Sequence, residues 1–191
     1  MSIIVEQISL PLGLTFLQLS VRLRQEVGAA GVGPTSVTGQ VGEYKRIVDW
    51  IASADEDIQR ARNDWRFMRS GFTVQTVADT AAYTHGECTD TTTASLITNF
   101  RNWIGDSFKI YLTSGGIAGE HALNYMDYQT WYEIYNTHTQ ASSYPVDFTI
   151  LNNRSFSLGP KPYAVFTVSG EYQKSVTTMT LNADSPSYPS E

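Results

Sequence analysis

A thiol becomes a nucleophile when a base beside it takes its proton, and Cys88, the single cysteine of the chain, has His85 three residues before it. The surrounding Tyr83-Thr84-His85-Gly86-Glu87-Cys88 carries no other catalytic feature, so Cys88 reads as a structural residue. Zinc would need two histidines at i and i+4 with a third ligand, and His85, His121 and His138 lack that spacing. Asp55, Glu56 and Asp57 are consecutive on a helix, where side chains point about 100° apart, so they read as a solvated face. The glycines between Gly28 and Gly42 resemble a phosphate loop in composition alone, because no lysine follows and no strand precedes. Ser114-Gly115-Gly116 lacks the strand-to-helix turn of a nucleophile elbow. Asn153-Arg154-Ser155 matches a glycan acceptor, which matters only in a secreted chain. The residues therefore predict no catalytic site, no metal and no cofactor.

The composition points the same way. With 191 residues the chain can bury a core without disulfides or metals. Charged residues make up 17% and aromatic residues 12%, leaving a surface rich in Ser, Thr, Asn and Tyr. A net charge of -6 with no basic run argues against tight phosphate binding. The segment Met1 to Leu14 is interrupted by Glu6 and Gln7 and is no signal peptide; it reads as a mobile or partner-bound arm. No stretch is long and apolar enough for a membrane-spanning helix, and no membrane contact is expected.

The elements follow from periodicity. Thr15 and Gln18 form a capping box that opens a helix to about Val27, with Phe16, Leu19, Leu23 and Val27 on one face and Gly28 as the stop. A second helix covers about residues 43 to 68, with Ile47, Ile51, Ala54, Ile58, Ala61, Trp65 and Met68 as one buried stripe. The first should pack on the second. The loop between them, Gly28 to Gly42, is long for a helical hairpin and reads as a reach towards a neighbouring subunit.

From Phe72 onward alternation replaces the helical period. Phe72 to Thr76 and Ala81 to Thr84 read as a hairpin turning near Asp79, Thr89 to Thr93 as a loop, and Phe108 to Leu112 as a strand. Around Glu120 to Tyr135 a cluster of tyrosines with Trp131 suggests helical turns, with room for a short strand before them, and their aromatic stripe reads as core. Strands are expected again at 148 to 151, 156 to 158, 164 to 170 and 172 to 181.

The predicted fold class is α+β: an N-terminal helical hairpin or bundle packed with an antiparallel β-sandwich or barrel-like domain, with extended N- and C-terminal arms. The expected divisions are an arm at 1–14, a helical region at 15–69, a β-rich domain at 70–183 with a short aromatic helix near 125–136, and a tail at 184–191. Trp50, Trp65, Phe67, Met68 and Trp131 are the expected structural anchors, and Gly33, Pro34, Pro186, Tyr188 and Pro189 the expected partner-binding positions.

The order of motifs resembles a known family. Leu23-Arg24-Gln25-Glu26-Val27-Gly28, Ile47-Val48-Asp49-Trp50-Ile51, Asp57-Ile58-Gln59 and Asp64-Trp65-Arg66-Phe67-Met68 are similar to the helical part of head-to-tail adaptor proteins of tailed bacteriophages. Phe156 to Tyr163, Gly170-Glu171-Tyr172-Gln173 and Leu181 to Pro186 resemble that family's closing strands and its turn into the C-terminal segment. The resemblance implies a non-enzymatic virion part made in the bacterial host cytoplasm. It implies a ring, commonly of twelve copies, between the portal protein and the tail or nozzle protein, with DNA passing through the lumen without specific binding. The chain ends at Glu191 where relatives tend to continue into further helix, so the N-terminal arm or the Gly28 to Gly42 loop is expected to share in portal anchoring. A competing reading is a carbohydrate- or receptor-binding β module of a phage particle, with Trp103, Trp131 and the nearby tyrosines stacking on sugar rings.

Overall fold

The computed structural model describes residues 13–28, 30–62, 64–137, 141–152, 154–186 and 188. The chain divides into two compact units: residues 1–67 with 176–191, and residues 68–175.

The first unit holds two helices, α1 (Phe16–Glu26) and α2 (Gly42–Ala61). The predicted capping box opens α1: the Thr15 hydroxyl accepts from the Gln18 amide at 3.3 Å, and the Gln18 side chain accepts from the Thr15 amide at 2.9 Å. Gly28 follows with a φ of 68°, the left-handed turn that ends helices. The helices pack on each other as expected, through a core of Phe16, Val37, Val48 and Met179 flanked by Leu17, Ile51 and Ala52.

The second helix is shorter than its apolar period suggests. It ends at Ala61, and Arg62 is already extended. Trp65 therefore belongs to no helical stripe; its indole N–H turns back to the Ile58 carbonyl at 2.8 Å. That carbonyl lies in the last turn, where no intrahelical donor remains, so the tryptophan satisfies an orphaned acceptor. The buried side of α2 also turns polar towards its end, passing from Ile47 and Val48 to Asp55 and Gln59.

Residues 176–186 belong with the helices rather than with the strands, which corrects both the strand expected to 181 and the domain boundary at 183. Hydrogen bonding is the cause. The amides of Phe16 and Leu17, free at the start of α1, donate to the carbonyls of Asp184 at 2.6 Å and Asn182 at 3.3 Å.

The second unit is a sandwich of two sheets, one ordered β3-β1-β9-β4-β5 and the other β2-β8-β7-β6. The strands are β1 (Arg69–Gln75), β2 (Ala82–Tyr83), β3 (Thr89–Asp90), β4 (Asn102–Leu112), β5 (His121–Ala122), β6 (Asn124–Tyr125), β7 (Asp147–Ile150), β8 (Phe156–Gly159) and β9 (Phe166–Gln173). All pairs are antiparallel except β6 with β7. Aromatic rings fill the space between the sheets, with Phe108 stacked on Phe148 at 4.2 Å and Trp103 edge-on to Phe156 at 5.4 Å.

The hairpin expected at residues 72–84 does not form, because β1 and β2 lie in different sheets. Tyr83 organises the crossing: its hydroxyl accepts from the Val77 amide at 3.0 Å and donates to the Thr80 carbonyl at 2.7 Å. The strands expected on either side of Glu171 are one, since β9 runs unbroken to Gln173.

Short strands precede the aromatic helix α3 (Tyr128–Tyr135), capped by Asp127, whose carboxylate accepts from the amides of Gln129 and Thr130 at 3.0 and 3.1 Å. Gly159 on β8 lets α3 come close. A Cβ there would lie 2.6 Å from the Tyr135 ring and 2.9 Å from Trp131 Nε1.

Candidate docking surfaces

Cys88 is fully buried, its thiol donating to the Thr84 carbonyl at 3.3 Å, and burial with the neighbouring Glu87 pushes its pKa up to about 12. His85 stacks on Phe100 at 4.6 Å, and His121 lies 3.3 Å from the Tyr144 hydroxyl. His138 and Asn153 fall outside the described residues. Among the described residues no group of three His, Cys, Asp or Glu could hold a metal ion.

The three consecutive acids do not share a solvated face. Asp57 is exposed, Glu56 pairs with Arg60 at 2.7 Å and accepts from the Thr178 hydroxyl, and Asp55 is buried. The Thr178 hydrogen bond, ahead of Arg60, lowers the Glu56 pKa, whereas desolvation raises that of Asp55. Asp55 accepts from Gln59 Nε2 at 2.7 Å. The same Gln59 amide donates to the Thr177 carbonyl and accepts from its N–H, both at 3.0 Å.

Of the predicted anchors, Met68 and Trp131 are buried, and Trp65 and Phe67 are half-buried, their rings 5.4 Å apart. Arg62 sits over the Trp65 ring at 5.2 Å, and Tyr188 meets Phe67 edge-on at 6.2 Å. Trp50 is no core anchor. It is 59% exposed, because the buried side of α2 runs through Val48, Ala52, Asp55 and Gln59.

Trp50, Ala54, Ile58 and Ala61 recur at steps of four, four and three, and all are exposed, so α2 has a second apolar face, approached at the Ile58 end by the Trp65 indole.

The predicted partner positions are also redistributed. Gly33 and Pro34 are buried, and Gly33 lies against the side chains of Val21 and Arg24 on α1. The loop is fastened at Val37, whose amide donates to the Asn182 side chain at 2.7 Å, leaving Val32 as its most exposed apolar residue. Pro186 is half-buried, and Pro189 lies outside the described residues.

In the β unit, an open groove of about 800 Å³ is lined by Tyr128, Trp131, Tyr132, Tyr135 and Lys161. It offers two exposed tyrosine rings. Trp103 cannot take part in sugar stacking, since it is core and its indole N–H donates to the Arg154 carbonyl at 2.7 Å.

Sequence reasoning missed Asp55, Gln59 and Asn182 as the polar fastenings of the helical unit. The available signal was the i, i+4 spacing of Asp55 and Gln59 in line with Val48 and Ala52 on one side of α2.

α2 carries an exposed apolar row, and no metal-holding group of His, Cys, Asp or Glu occurs among the described residues. A family profile described as SU10 adaptor protein matches residues 14–191. The chain belongs to this phage head-to-tail adaptor family. No curated protein gives a significant match. The adaptor is a structural protein, α+β in fold, and no helix among its described residues is long and apolar enough to cross a membrane. The match begins at the residue before Thr15, so α1, α2, both sheets and the C-terminal segment all fall within it.

Proposed function

We propose that the adaptor assembles as a closed ring of twelve copies in the virion neck, between the portal and the tail or nozzle, with DNA passing through its centre. The observation that carries this reading is the exposed Trp50–Ile58 face of α2. A ring closed by rotation needs two different surfaces on each subunit, and a large apolar side chain left in water is a natural part of one of them. The acid excess of the chain, 19 Asp and Glu against 13 Lys and Arg, suits a lumen that must not bind phosphate. The half-buried C-terminal aromatic, Tyr188, and the exposed loop residue Val32 are the positions offered to the portal or tail.

Sedimentation of the purified chain with the portal protein of the same genome tests this. The expected result is one species of portal plus a fixed number of adaptor copies, with no shift of added double-stranded DNA by the adaptor alone. Separate sedimentation of portal and monomer would overturn it.

A further inference from the structure

The exposed side of α2 has a matching segment in the same chain. Residues 1–12 precede the described fold and carry Ile3, Ile4, Val5, Ile8, Leu10 and Leu12, with Glu6 as their one charged side chain. We propose that this arm of one copy covers the Trp50–Ile58 face of α2 in the next copy, an inference that rests on the ring reading above.

Three observations argue for it. The first is reach: fully extended, twelve residues span about 40 Å, whereas Trp50 to Ile58 covers only about 12 Å of helix. The second is charge. Arg46 stands one turn before Trp50, is exposed, and has no salt bridge among the described residues, so it can receive Glu6 when the apolar residues of the arm lie along the helix. The third is direction. The arm joins the fold just before Phe16, which packs with Val48 in the helical core, while Trp50 lies two residues beyond Val48 and so about 200° round the helix. Trp50, at one end of the receiving face, is thus turned away from the side of α2 on which α1 begins, while Ile58, ten residues beyond Val48, lies about 80° from that side. An arm and a socket at different places on a subunit make a head-to-tail pair, which repeats around a ring without using either surface twice.

The fold makes the test clean, because Cys88 is fully buried and introduced thiols report alone. Ile8→Cys in one full-length chain and Ala54→Cys in another are mixed, assembled on the portal, oxidised and run without reductant. A cross-linked dimer from the mixture is expected, and none when Asn152→Cys, at an exposed turn of the β unit, replaces Ala54→Cys. Trp50→Glu in the Ala54→Cys chain should lower the dimer yield by about tenfold or more while the melting temperature stays the same. If rings are seen by electron microscopy but no dimer forms, the arm proposal is overturned and the ring reading stands. The same holds if a chain carrying both cysteines closes only on itself. If the unsubstituted chain forms no ring, the ring reading fails and the arm proposal falls with it.

Discussion

Gln59 holds the main chain of Thr177 from both sides: its side-chain amide donates to the Thr177 carbonyl and accepts from the Thr177 N–H, each at 3.0 Å. One glutamine on α2 thus does for the C-terminal segment what a neighbouring strand would do. The same amide nitrogen donates to the buried Asp55, so one side chain serves a carboxylate and both main-chain groups of Thr177.

Replacing Gln59 by Leu removes the clasp and leaves the Thr177 main chain and the Asp55 carboxylate without this partner. The expected cost is roughly 1–3 kcal/mol, the range for leaving a buried polar group, here Asp55, without its partner. Urea unfolding followed by far-ultraviolet circular dichroism checks it, and an unchanged midpoint would remove the clasp from the account.

Asp55 gives a stability change of known sign. Desolvation, partly offset by the Gln59 hydrogen bond and reinforced by Glu56, raises its folded-state pKa above 3.8. A raised acid favours the fold while protonated, so this contribution is present below the unfolded pKa and is lost as pH rises through the folded value. Asp55→Asn keeps an acceptor for Gln59 without the charge. It should be as stable as the natural chain or more so at neutral pH, as read by thermal melts at pH 7 and pH 4.

Asp90 works in the opposite direction. Burial alone would raise its pKa, but the Tyr172 hydroxyl at 2.5 Å and the amides of Thr93 and Thr92 at 2.9 and 2.7 Å outweigh it and hold the carboxyl at about 2. Stability from this lowered value is present above about pH 4 and is lost as pH falls through about 2, amounting to roughly 2 kcal/mol. The β unit of Asp90→Asn should lose most of this acid dependence, measured as melting temperature between pH 5 and pH 2.

Trp65 caps α2 from outside the core. Its truncation to Ala should cost about 1–2 kcal/mol, from one hydrogen bond, the Phe67 contact and the Arg62 contact. Loss of 3–5 kcal/mol in equilibrium unfolding, the range for a fully buried aromatic, would show that the ring is more deeply packed than its partial exposure indicates.

Much of the framework was legible in the residues. The Thr15–Gln18 box and the aromatic helix follow from local rules, which sufficed because each depends on neighbours in sequence, and the pairing of the two helices follows from their apolar faces. What was not legible depends on distant partners. Gln59 and Thr177 are 118 residues apart, so nothing near either announces the clasp. Trp50 misled for a related reason: an aromatic on an amphipathic helix suggests core, yet α2 is apolar on two sides and only one is filled within the described residues. The Phe72–Thr84 hairpin failed because Tyr83 gathers the intervening turn around its hydroxyl and delivers β2 to the opposite sheet.

The most direct test of the adaptor as a docking ring is to mix the purified chain with the portal protein from the same genome and average the particles by electron microscopy. The account predicts a ring of added density below the portal, with α2 of each copy facing its neighbour and twelve copies in the circle. Bare portals beside free monomer would contradict it.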